Sequence, residues 1–147
     1  MIKTICLFGI GNSGKTTTLR LLANKLHSSS DTKDFDGNIP EKGDFKVCFK
    51  YKGIKVGIAS GGDTAEVVKN NIEFFLSKKC KILIIAARSK GDSHTIIYDY
   101  CDEHELLWLR QRDIWLEKAN ELNKQSLYKT SNKQTTDLII STMNMVS

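Results

Sequence analysis

The residues with the clearest chemistry are Gly9-Ile10-Gly11-Asn12-Ser13-Gly14-Lys15-Thr16, a G-x-x-x-x-G-K-[ST] run without a gap. Its glycines let the main chain curl so that successive N–H groups point inward, a cradle for phosphate oxygens. Lys15 supplies a point charge that reaches the β- and γ-phosphates, and the Thr16 hydroxyl suits a Mg²⁺ ion beside them. Thr17 follows in the first turn of a helix, whose N-terminal amides add positive partial charge.

The flanks supply the order this chemistry needs. Ile2, Ile5, Leu7 and Phe8 form a short apolar run that predicts a strand before Gly9. After Thr16, Leu19, Leu22 and Leu26 recur at three- and four-residue steps and predict a helix ending near His27. From Ile2 to about Leu26 the chain therefore resembles the P-loop nucleoside-triphosphatase superfamily. The resemblance implies binding of ATP or GTP with Mg²⁺ by Gly9, Gly11, Asn12, Ser13, Gly14, Lys15, Thr16 and Thr17. It further implies ATP hydrolysis or a related phosphoryl transfer. Two rivals stay open: a small kinase with a nucleoside, nucleotide or metabolite acceptor, and a slow switch that engages a protein partner.

In this superfamily the strand beside the glycine loop usually ends in an acid that holds the Mg²⁺ water shell. Here Ile58-Ala59-Ser60-Gly61-Gly62 brings an acid only at Asp63. Asp63 is thus a metal and catalytic candidate, with Thr16 as the other metal ligand. Alternatively Ser60 binds a metal water and Asp63 only caps the next helix, since Asp63 and Glu66 have capping-box spacing. Arg88 and Lys90 follow a later strand and read as phosphate-facing cations, Arg88 with a catalytic part. Arg110 and Arg112 are candidates for a lid that closes on the phosphates. Ser89-Lys90-Gly91-Asp92 resembles a degenerate guanine-recognition motif but follows an earlier strand than that motif does, which favours ATP over GTP.

Several elements must position these groups. Ser28 to Asp44 is polar and predicts a long loop. The resemblance implies that this loop lies across the nucleotide's mouth, with Asp34 and Asp36 as substrate or metal groups; otherwise they are simply turn residues. Val47, Phe49 and Tyr51, then Ile54, Val56 and Ile58, alternate about Lys52-Gly53 and predict a β-hairpin. Its lysines 46, 50, 52 and 55 suit a basic edge strand that resists aggregation, a reading preferred to a nucleic-acid patch. A helix is predicted from Thr64 to Lys78, with Val67, Val68, Ile72, Phe75 and Leu76 facing the core. Ile82 to Ala87 reads as a central parallel strand. Thr95 to about Lys124 reads as helical, with Trp108 and Trp115 on one stripe. Ser126 to Thr130 suggests a short last strand, and Asp137 to Val146 a closing helix.

The expected fold is a three-layer α/β/α sandwich, with about five mostly parallel strands and the hairpin at one edge. The 147 residues make a single domain, 1–147. A net charge of +5 suits nucleotide ligands and is equally compatible with weak nucleic-acid binding or with solubility alone; nucleic acid is not the expected partner. Cys6, Cys48, Cys80 and Cys101 are scattered and read as buried thiols. No apolar run is long enough for a membrane span, and Met1-Ile2-Lys3 leads directly into the first strand. A cytoplasmic location is expected.

Overall fold

A computed structural model describes residues 3–9, 14–111 and 121–146. The elements run β1 (Thr4–Phe8), α1 (Lys15–His27), β2 (Thr32–Asp36), β3 (Lys46–Tyr51), β4 (Ile54–Ala59) and α2 (Ala65–Ser77). Then come β5 (Ile82–Ala87), α3 (Asp92–Thr95), β6 (Leu106–Arg110) and α4 (Glu121–Val146). The six strands form one mixed sheet in the order β2-β3-β4-β5-β1-β6. β4, β5, β1 and β6 pair in parallel, while β3 is antiparallel to both of its neighbours. Among the described residues no helix is long and apolar enough to cross a membrane.

Helices cover both faces of the sheet. On one face Leu19, Leu22, Ala23 and Leu26 of α1 join Ile139 and Met143 of α4 against Ile5, Leu7, Val56, Ile58 and Ile84. On the other, Val68, Ile72 and Phe75 of α2 meet Cys6, Cys48, Leu83 and Ile85, with Ile97 beyond α3. β5 is buried along its whole length, as its unbroken apolar run requires of a strand covered on both faces. Cys6, Cys48 and Cys80 are buried free thiols and Cys101 is half-buried; burial pushes Cys80 up to about 11.

The hairpin forms as its alternation predicts. Lys52 and Gly53 both take positive φ, 51° and 81°, the signature of a tight primed turn. It is not an edge, however. The segment expected to be all loop contains β2, which pairs with β3 and takes the edge itself. Nor does the hairpin's second arm lie beside β1, because β5 is inserted between them. In α2 the cap is Thr64, whose side chain accepts from Val67 N, so Asp63 is not the capping residue. Val67 and Leu76 are exposed rather than in the core.

The largest corrections lie in the last third. Thr95 to Arg110 is not a helix. It holds two 3-10 turns, Ile96–Asp99 and Glu103–Glu105, and then β6 beside β1. Leu107 and Leu109 pack toward α1 and α4, while Leu106 and Trp108 pack toward α2. That is a period of two, hidden because both sides are apolar. Ser126 to Thr130 is helix, within α4, and Thr130 Oγ1 donates back to Ser126 O at 3.1 Å. Trp115 and Ala119 lie outside the described residues.

Gly57 of β4 has no side chain for a packing reason. A Cβ there would stand 2.4 Å from Cδ1 of Phe75, inside the α2 ring's own space. Gly57→Ala should lower stability by about 1–3 kcal/mol through overpacking. Urea unfolding measures this directly, and an unchanged midpoint would contradict the tight seat of Phe75.

Candidate functional site

The carboxyl ends of β1, β4 and β5 meet the start of α1, and the site lies there. Gly14 takes φ 96°, which only glycine adopts cheaply, and it serves as N-cap of α1. Lys15 is therefore the first helical residue and is only 7% exposed. Its Nζ donates to Gly9 O at 2.8 Å, while Gly9 N donates to Ala87 O of β5 at 3.2 Å. Burial lowers the Lys15 pKa; Asp63 nearby opposes that shift, and the Arg88 guanidinium reinforces it.

Next to this ammonium stands a hydroxyl–carboxylate pair. Thr16 Oγ1 donates to Asp44 Oδ1 at 3.1 Å, and Ser60 Oγ donates to the same oxygen at 3.3 Å. Ser60 is itself fixed: its Oγ accepts from Phe45 N at 2.9 Å, and its N donates to Phe45 O at 3.0 Å. Arg20 of α1 holds the segment that delivers Asp44, donating from Nε to Pro40 O at 2.7 Å and from Nη2 to Gly43 O at 3.0 Å.

The loop after β4 closes the other side. A Cβ on Gly62 would lie 2.4 Å from Ala86 O, so glycine is what lets this loop press against the end of β5. Asn71 Nδ2 secures it by donating to Gly61 O at 3.0 Å. Asp63 then reaches Arg88, with Oδ1 3.6 Å from Nε, an exposed pair across the rim. Gly14, Lys15, Thr16, Thr17, Asp44, Ser60, Gly62 and Asp63 enclose a pocket of about 310 Å³.

Of the residues singled out from sequence, Gly9, Gly14, Lys15, Thr16, Thr17, Ser60, Asp63 and Arg88 are therefore together. Gly11, Asn12, Ser13 and Arg112 lie outside the described residues. Lys90 is exposed on the loop after β5. Arg110 ends β6 with its guanidinium over the Phe8 ring, 5.3 Å from the centroid. Trp108 stacks on His94 at 4.1 Å between centroids. Asp34 and Asp36 sit on β2, Asp34 facing Lys50 at 3.7 Å, and neither lines the pocket.

The residue missed is Asp44. Its signal was the hairpin itself, since an antiparallel pair returns the start of its first strand to the end of its second. Lys46 registers with Ala59, so Asp44 must fall beside Ser60 and Gly61. No protein-family model matches the chain, nor does any curated protein or solved structure.

A buried lysine with a lowered pKa destabilises the fold wherever it stays charged. The unfolded chain holds that proton to higher pH, so the penalty is full at neutral pH and fades as pH climbs toward the ordinary lysine value. Relative to wild type, Lys15→Met should gain stability between pH 9.5 and pH 7, read by urea unfolding at both. A difference between the two proteins that does not change with pH would contradict the charge assignment.

Proposed function

We infer that the chain binds a nucleoside triphosphate with Mg²⁺ in the Lys15–Asp44 pocket and acts on its terminal phosphate, by hydrolysis or transfer. One observation carries this reading: a buried ammonium at a helix start, beside a threonine hydroxyl shared with a carboxylate. A positive charge withdrawn from water is costly unless an anion meets it. The amides at the α1 N-terminus favour the same anion.

The donor set fits Mg²⁺, which takes hard oxygen ligands and commonly uses one or two protein groups plus substrate phosphates. Thr16 and Asp44 would hold it, and Asp63 lines the same pocket. Among the described residues no group of three or more His, Cys, Asp and Glu side chains makes a protein-only cage. When bound, the ion would neutralise charge on the phosphate oxygens. Lys15 would exchange the Gly9 carbonyl for a phosphate oxygen, and Arg88 would turn from Asp63 toward charge on the departing phosphoryl group. Asp63, so released, can orient the attacking water or acceptor hydroxyl. The same reading takes the helix-covered mixed sheet as a three-layer, P-loop NTPase-like fold.

Calorimetry with non-hydrolysable ATP and GTP analogues, with and without Mg²⁺, tests the binding; phosphate release, with and without a nucleoside panel, tests the reaction. Lys15→Ala removes a charge-assisted contact of about 1.5–3 kcal/mol and should weaken binding by about tenfold or more. Asp44→Asn should spare metal-free binding and blunt the Mg²⁺ dependence. Absence of heat with either analogue, or undiminished binding by Lys15→Ala, would refute the assignment.

A further inference from the structure

The basic hairpin lost its edge-protecting role when β2 proved to be the edge, and its lysines need another account. Their register supplies one. Lys33 of β2 lies opposite Lys50 of β3, and Lys50 lies opposite Lys55 of β4. Lys81, just before β5, donates its N to Lys55 O at 2.8 Å and so stands alongside. All four belong to the sheet face that carries α2: Lys50 alternates with Cys48, Lys55 with Gly57 and Lys81 with Leu83, whose neighbourhood is that of Phe75.

The result is a transverse row of lysines on successive chain segments, about 4.8 Å apart and about 14 Å long. Lys33, Lys50 and Lys81 are exposed and Lys55 is half-buried. Like charges directly opposite on neighbouring strands cost stability, and here that pairing occurs twice in succession. The acids nearby offset little of it. Asp34 meets Lys50 at 3.7 Å with both side chains exposed, and Asp36 lies farther along β2, opposite Cys48. At the other end Asp102 and Glu105 share a pocket with Lys81, Glu105 being paired with Lys3 at 3.1 Å, so the uncompensated charge is greatest over Lys33, Lys50 and Lys55. Lys46 and Lys78 extend the field, both over the Phe74 ring at 4.7 and 5.5 Å from its centroid.

We propose that the in-register lysines 33, 50, 55 and 81 form a binding surface for single-stranded nucleic acid, with its phosphodiester backbone lying along the row. The row is linear and runs past the C-terminal end of α2, at Ser77, on a sheet face that the helix overtops. A strand of phosphates can lie in that step, whereas a flat bilayer approaching this side meets the helix first. The surface is at the opposite ends of the strands from the Lys15 pocket, so it stands or falls separately from the nucleotide reading.

Fluorescence anisotropy of the full chain with a labelled oligothymidylate of about 20 nucleotides tests it, at about 50 and 200 mM salt. Binding should fall with salt at a log–log slope near −3, from about 0.7 per phosphate contact on a single strand. The double variant Lys50→Gln/Lys55→Gln should lose at least about fivefold in affinity and flatten the slope by about 1.4. Its thermal midpoint should match or exceed wild type, because a repulsive pair is removed. Lys129→Gln/Lys133→Gln on α4, with the same change in net charge, and Lys15→Ala should both bind as wild type does. Absence of binding, equal losses in the two double variants, or capture by phosphatidylserine vesicles in place of the oligonucleotide would overturn the proposal.

Discussion

Everything at the candidate site depends on where one ammonium is held. Lys15 is buried because Gly14 turns the chain directly into α1, and α1 is locked to the sheet by Leu19, Leu22 and Leu26. Lys15 Nζ has the Gly9 carbonyl within reach because β1 ends one residue earlier, held by β5 on one side and β6 on the other. Moving that charge into water would remove its desolvation cost and, with it, the drive to accept an anion. β1, the glycine turn and the first helix are thus one device.

The second half of the device comes from the opposite flank of the sheet. Asp44 belongs to no regular element, yet it is restrained from three sides. Arg20 clasps the carbonyls of Pro40 and Gly43, Ser60 and Thr16 donate to its carboxylate, and Phe45 pairs with Ser60 through backbone and side chain. Arg20 and Thr16 both lie on α1, so the helix that begins at Lys15 also positions the carboxylate facing it. Flexibility at the rim is left to exposed groups, Asp63 and Arg88, whose pairing across 3.6 Å is the kind that exchanges partners at little cost.

How much of this was legible depended on whether local chemistry or distant packing decided each element. β1, α1, the β3–β4 hairpin, α2 and β5 follow from periodicity and turn residues that need no partner to be recognised. β2 was hidden because Thr32-Lys33-Asp34-Phe35-Asp36 is polar, and because Asp34, at φ 57°, breaks its alternation with a register shift. β6 was hidden by being apolar on both sides. The end of α4 was legible, Asp137 to Val146 being the closing helix expected, but its first part was hidden because the buried stripe there runs through Asn132 and Thr136, and hydroxyls that bond back to the helix blur the amphipathic pattern. At the site, the glycine-lysine-threonine run was legible because its spacing is local. Asp44 was not, since only strand register brings it to Thr16 across 28 positions.

The most direct test of the central claim follows the Lys15 side chain itself. With lysine labelled at the ε-carbon and Lys15→Arg used to assign its signal, an NMR pH titration reads this ammonium's pKa in the free chain and with Mg²⁺ and a non-hydrolysable triphosphate. The account predicts a value below that of ordinary lysine in the free chain and a rise on adding the triphosphate, as an anion replaces lost water. An unshifted lysine in the free chain, or one that ignores the triphosphate, would contradict it.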